Sequence, residues 1–105
     1  MKQYITPEQT AKLIELGFDT PRNFFESLAF ADKSRCAYSI GELIEMLPMS
    51  ITNVGFVNEL HIYINQGDWL VEFSDFMGEL YSTMRSELVD ALYDMVIKLK
   101  DEGVI

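Results

Sequence analysis

The chain has 105 residues, 49% of them hydrophobic and 12% aromatic, and a formal net charge of −9. That composition supports one folded core and is too short for a second independent domain, so residues 1–105 read as a single domain. Between Cys36 and Met84 no lysine or arginine accompanies seven carboxylates (Glu42, Glu45, Glu59, Asp68, Glu72, Asp75 and Glu79), a field that excludes direct binding of nucleic acid or anionic lipid and favours cationic partners.

Thr6-Pro7-Glu8-Gln9 carries a helix start: a capping threonine, a proline at the first helical position, and a glutamine that completes a capping box. Ala11, Leu13, Ile14 and Leu16 supply the buried face and Gly17 the stop, which predicts a helix over about 7–16. Thr20-Pro21 repeats the start signal, with Phe24, Phe25 and Leu28 on one side of a short helix. The same region reads equally as two strands, Ser27 to Phe30 and Arg35 to Tyr38, because periodicity does not separate the two for short apolar runs. Ser39 and Glu42 form another capping box, Tyr38 and Leu43 a hydrophobic staple, and Ile40, Leu43, Ile44 and Leu47 a buried stripe. A helix over about 40–47 follows, ended by Pro48, with Glu42 and Glu45 turned to solvent.

Leu60 to Phe73 carries the strand signal, with Gln66-Gly67 as a tight turn. Centring a hairpin there, with strands over about 57–64 and 68–74, pairs Ile64 with Trp69, Ile62 with Val71 and Leu60 with Phe73, all on one face. His61 opposite Glu72 and Tyr63 opposite Leu70 take the other face, and a one-residue slip would break the segregation. Ser74 to Met84 reads as an indistinct bridge.

A second strong helix signal spans about 85–102. Leu88, Leu92, Met95 and Leu99 make one apolar row, which Val89, Tyr93, Val96 and Ile97 widen, and Gly103 with Val104 fits a Schellman closure. So wide a face needs more cover than a two-stranded hairpin, either another helix or a second copy of the chain. The fold class expected is therefore α+β, an antiparallel hairpin packed against helices.

The chemistry-bearing residues are few. Cys36 is the sole cysteine, so no internal disulfide or thiolate zinc cluster is available, and it reads as a small core residue more readily than as a nucleophile beside Arg35. His61 is the sole histidine, and a His61–Glu72 pair is the one enzymatic idea the sequence offers, against an ordinary cross-strand polar pair. Asp68, Glu72, Asp75 and Glu79 match no loop of fixed ligand order, so a solvated acidic surface is expected and neither metal nor cofactor. Stacking of bases on Trp69, Tyr63 and Tyr81 lacks the cations it needs. Met46, Met49, Met77 and Met84 either fill gaps in the core, the favoured reading, or form an adaptable contact surface. Met1 to Pro7 lacks the apolar core of a signal peptide, and no apolar run approaches the ~20 residues of a membrane span, so a cytoplasmic location without a membrane partner is expected.

Thr6-Pro7-Glu8-Gln9-Thr10-Ala11-Lys12-Leu13, Tyr38 to Pro48 and Ser86 to Met95, with Trp69 on its strand, together resemble a group of short proteins from gut anaerobic bacteria and their phages or integrative elements. The resemblance covers about a third of the chain, attaches no activity to it, and implies a setting in which small accessory factors that bind other proteins are common. The reading that results is a non-enzymatic acidic interaction module, self-associating through Val89, Tyr93, Val96 and Ile97 and presenting Glu72, Asp75 and Glu79 to a protein partner. The alternative is an acidic imitation of DNA that occupies the basic groove of a nucleic-acid-binding protein.

Overall fold

Backbone groups left over at helix ends explain where the helices start and stop. The structure, a computed structural model, describes residues 1–22 and 37–105. In α1 (Pro7–Glu15) the Thr6 hydroxyl accepts from the Gln9 N–H at 3.1 Å, and the Gln9 side chain accepts from the Thr6 N–H at 2.9 Å. Gly17, at φ 101°, lets Phe18 N–H turn back to the Leu13 carbonyl. In α2 (Ile40–Met46) the same reciprocal box joins Ser39 and Glu42. The two helices end one residue earlier than expected, because Leu16 and Leu47 serve as C-caps. Thr10 Oγ1 accepts from Tyr38 N–H, and Ile5 and Ile40 donate across to Tyr38 and Gln3, which ties α1 to the entry of α2.

A four-stranded antiparallel sheet follows in simple meander order: β1 (Ser50–Asn53), β2 (Phe56–Asn65), β3 (Asp68–Asp75) and β4 (Gly78–Arg85). The central register is the expected one, with Ile64 facing Trp69, Ile62 facing Val71 and Leu60 facing Phe73, and with His61–Glu72 and Tyr63–Leu70 on the opposite side. Two strands were not legible. β1 has four residues of which only Ile51 is partly covered, too short and too exposed to show alternation. β4 replaces the expected bridge: Phe73 faces Tyr81 while Ser74 faces Glu79, so Leu80 is an extra residue, and that bulge puts Leu80 and Tyr81 in succession and breaks the period of two.

The last helix, α3 (Leu88–Asp101), packs against β3, β4 and α2. It begins later than the expected residue 85 because β4 runs through Arg85 and Glu87 is the N-cap, its carboxylate accepting from the Lys2 N–H instead of capping the helix. It ends as expected: Gly103 adopts φ 74°, its N–H reaches the Lys100 carbonyl, and Val104 N–H reaches that of Leu99 at 2.9 Å. Val89, Ala91, Leu92, Met95, Val96 and Leu99 are fully buried together with Leu13, Leu43, Val71 and Phe73, in one core with Ile5 and Tyr38. Thr83 Oγ1 donates to the Ala91 carbonyl at 2.7 Å and Arg85 pairs with Asp94 at 2.8 Å, fixing α3 over the β4 side of the sheet. The fold is α+β, as expected. Among the described residues no helix is long and apolar enough to cross a membrane. The alternatives for Phe24, Phe25 and Leu28, the strands over 27–30 and from Arg35, and the role of Cys36 lie outside the described residues.

Candidate functional site

The meander places two turns at the same end of the sheet, Val54-Gly55 between β1 and β2, and Phe76-Met77 between β3 and β4. Turn positions ordinarily carry polar or small residues. Here Val54 is 87% exposed, Phe76 88% and Met77 74%, and Phe56 and Val57 beside them are about half exposed. Val54 also sits at φ 52°, the left-handed region that disfavours β-branched side chains, and with Gly55 at φ 82° it forms a primed hairpin turn whose first position suits asparagine. The valine side chain there is left almost wholly to solvent.

Local bonds fix both turns. Asp75 Oδ1 accepts from Met77 N–H at 2.7 Å, so the carboxylate holds the β3–β4 turn that presents Phe76 and Met77. Asn58, only 5% exposed, donates from Nδ2 to the carbonyls of Ile51 and Phe56 and braces the β1–β2 turn. Between the turns lies a shallow depression of about 210 Å³, lined by Val54, Phe56, Asn58, Asp75, Met77 and Glu79 among others. One row inward, Glu59, Ser74 and Glu79 stand side by side across β2, β3 and β4. The apolar end is thus edged by Glu59, Asp75 and Glu79, in the stretch devoid of lysine and arginine.

Of the residues singled out from sequence, Asp75 and Glu79 come together here, and Glu72 lies one pair further along β3, where its Oε1 accepts from the Tyr63 hydroxyl at 3.1 Å and from Ser74 Oγ at 3.3 Å. Desolvation first, then the Glu72 carboxylate, raises the Tyr63 hydroxyl above its ordinary range. His61 faces Glu72 in the register on an exposed position. Glu72 is therefore held by hydroxyl donors from both sides.

The other half of the expected surface needs correction. Val89 and Val96 are completely buried within the chain, and Tyr93 and Ile97 are half-buried against its core. The wide face of α3 is covered by α2 as well as by β3 and β4, so a helix of the same chain lies where additional cover was expected. The methionines are corrected in the other direction: Met49, Met77 and Met84 are exposed and only Met46 is half-buried, so three of the four do not fill the core. Glu42 and Glu45, expected to face solvent alone, both meet Arg22: its N–H donates to Glu42 at 2.9 Å and its guanidinium pairs with Glu45. Together these residues border a second cavity of about 380 Å³ at the C-terminal end of α1, which Tyr38 and Phe18 also line.

The apolar half of the turn end, Val54, Phe56, Val57 and Phe76, was missed. The signal was present in Asn53-Val54-Gly55 and Asp75-Phe76-Met77-Gly78, two turn signatures with a large apolar side chain at the tip. Among the described residues no group of three or more histidine, cysteine, aspartate or glutamate side chains is placed to hold a metal ion. No protein-family model, curated protein or solved structure matches the chain.

Proposed function

We propose that the chain is a non-enzymatic protein-interaction module that docks its two-turn end onto a partner segment presenting an apolar side chain flanked by lysine or arginine. The observation that carries this reading is the exposure of Val54, Phe76 and Met77 at turn tips, with Val54 held in a backbone conformation that costs stability and returns no internal packing. Clustered apolar tips with methionine among them suit an adaptable contact, and Glu59, Asp75 and Glu79 supply a rim that steers a cationic partner and rejects polyanions. Imitation of DNA fits less well, because phosphate-like spacing would be interrupted by Phe76, Met77 and Val54. The resemblance to short proteins of mobile elements agrees with an accessory binding role.

The test compares the parent with a Phe76→Asp/Met77→Asp double variant whose thermal melt is unchanged, both immobilised and exposed to the same lysate. The reading requires proteins that the parent retains at physiological salt and the variant releases. Equal retention by both would overturn it. Retention that depends only on salt, and not on the two apolar tips, would favour the DNA-mimic reading.

A further inference from the structure

A different edge of the sheet is built for pairing. β1 covers β2 only from Phe56 to Glu59, and the Leu60 N–H is taken by the Met49 carbonyl. Backbone groups alternate in direction along a strand, so if those of Leu60 point toward β1, those of Ile62 and Ile64 point the same way, into a notch that none of the described strands fills. Natural sheets guard such edges with lysine, proline, a bulge or a charge. The notch segment, His61-Ile62-Tyr63-Ile64-Asn65, has none of these: its register with β3 is unbroken and it carries no carboxylate or fixed cation. Ile64 is 58% exposed although it shares the face that packs on α3, and Met49, 84% exposed, stands at the end of the notch.

We infer that two copies of the chain pair antiparallel through this notch, about a two-fold axis at Tyr63. Ile62 then faces the partner's Ile64 and Ile64 the partner's Ile62, and the N–H and C=O groups of these two residues are satisfied by four hydrogen bonds across the axis. The partner's Tyr63 lies against Tyr63 on the open face, and His61 meets the partner's Asn65. No pair across the axis sets like charges together, which matters for a chain of net charge −9. Standard interfaces bury roughly 800 Å² per partner with 20–30 residues, so the ten or so residues around the notch bury on the order of 300 Å² a side. The dimer is accordingly expected at the weak, transient end of specific interfaces. This pairing is independent of the docking end proposed above, since the Gln66-Gly67 turn and the two apolar turns lie at opposite ends of the sheet.

Sedimentation equilibrium from about 10 µM to about 1 mM checks it. The parent passes from monomer to dimer, and Ile64→Lys, which leaves the melt of the dilute chain unchanged, holds it monomeric. Disulfide capture tests the axis without relying on that variant. In a Cys36→Ser background, Tyr63→Cys places two thiols at a non-hydrogen-bonded pair with Cα atoms about 4.5 Å apart, within disulfide range. It cross-links at least about tenfold faster than Thr52→Cys, an exposed position on the same face away from the notch. A monomer at the highest concentration, a dimer indifferent to Ile64→Lys, or equal cross-linking at the two cysteine positions would each overturn the inference.

Discussion

Replacing Val54 by asparagine isolates the strained turn. Valine there holds φ 52° with Gly55 at 82°, and the left-handed region costs an ordinary side chain about 1–2 kcal/mol, while asparagine enters it with much less penalty. Because Val54 is 87% exposed, its removal forfeits almost no buried area. The net expectation is a gain of about 1 kcal/mol, equivalent to a rise of about 4–8 °C in Tm for a domain of this size. Urea melts read by Trp69 fluorescence provide the assay, with the midpoint rising at constant slope. Gln66 is the internal control: it has nearly the same φ, 53°, in the turn before Gly67, but it is not β-branched, so Gln66→Asn should gain less. If Val54→Asn is neutral or destabilising while Gln66→Asn stabilises, the argument that valine is held there at a cost fails. If Val54→Asn stabilises the chain and weakens partner retention, the same residue links the strain to the docking end.

Leu92 is fully buried in the centre of α3, and Leu92→Ala should lose about 2–5 kcal/mol in a denaturant melt. Ser39→Ala removes the acceptor for the Glu42 N–H and should cost about 1 kcal/mol, measurable in the same melt. Gly103→Ala meets no neighbouring atom within 4 Å, so a loss of about 1 kcal/mol would reflect its φ of 74° alone and should appear as fraying at the end of α3 in amide exchange. Burial first and then Asp94 raise the Tyr93 hydroxyl above its ordinary range; its contribution is complete below the unfolded-state value near 10 and is lost as pH rises through the folded-state value. Tyr93→Phe should therefore flatten the decline of stability with pH above about 10, read from urea midpoints.

Local chemistry determined much of this protein. The capping boxes at Thr6 and Ser39, the glycine closures at Gly17 and Gly103, and the alternation around Gln66-Gly67 act over a few residues, so each was legible in the sequence and each occurs with the expected partners. Tertiary structure decided what those signals do not encode. β1 is recognisable only because β2 lies beside it, and β4 only because a bulge at Leu80 resets the alternation against β3. Val89 and Val96 looked available until α2 and the sheet were seen to cover them, whereas Val54 and Phe76 looked unremarkable until the meander brought their turns to one end. Hydrogen bonds at helix ends and turns are short-range in sequence, but exposure depends on which distant segments arrive to cover a side chain, and that is settled only when the chain closes on itself.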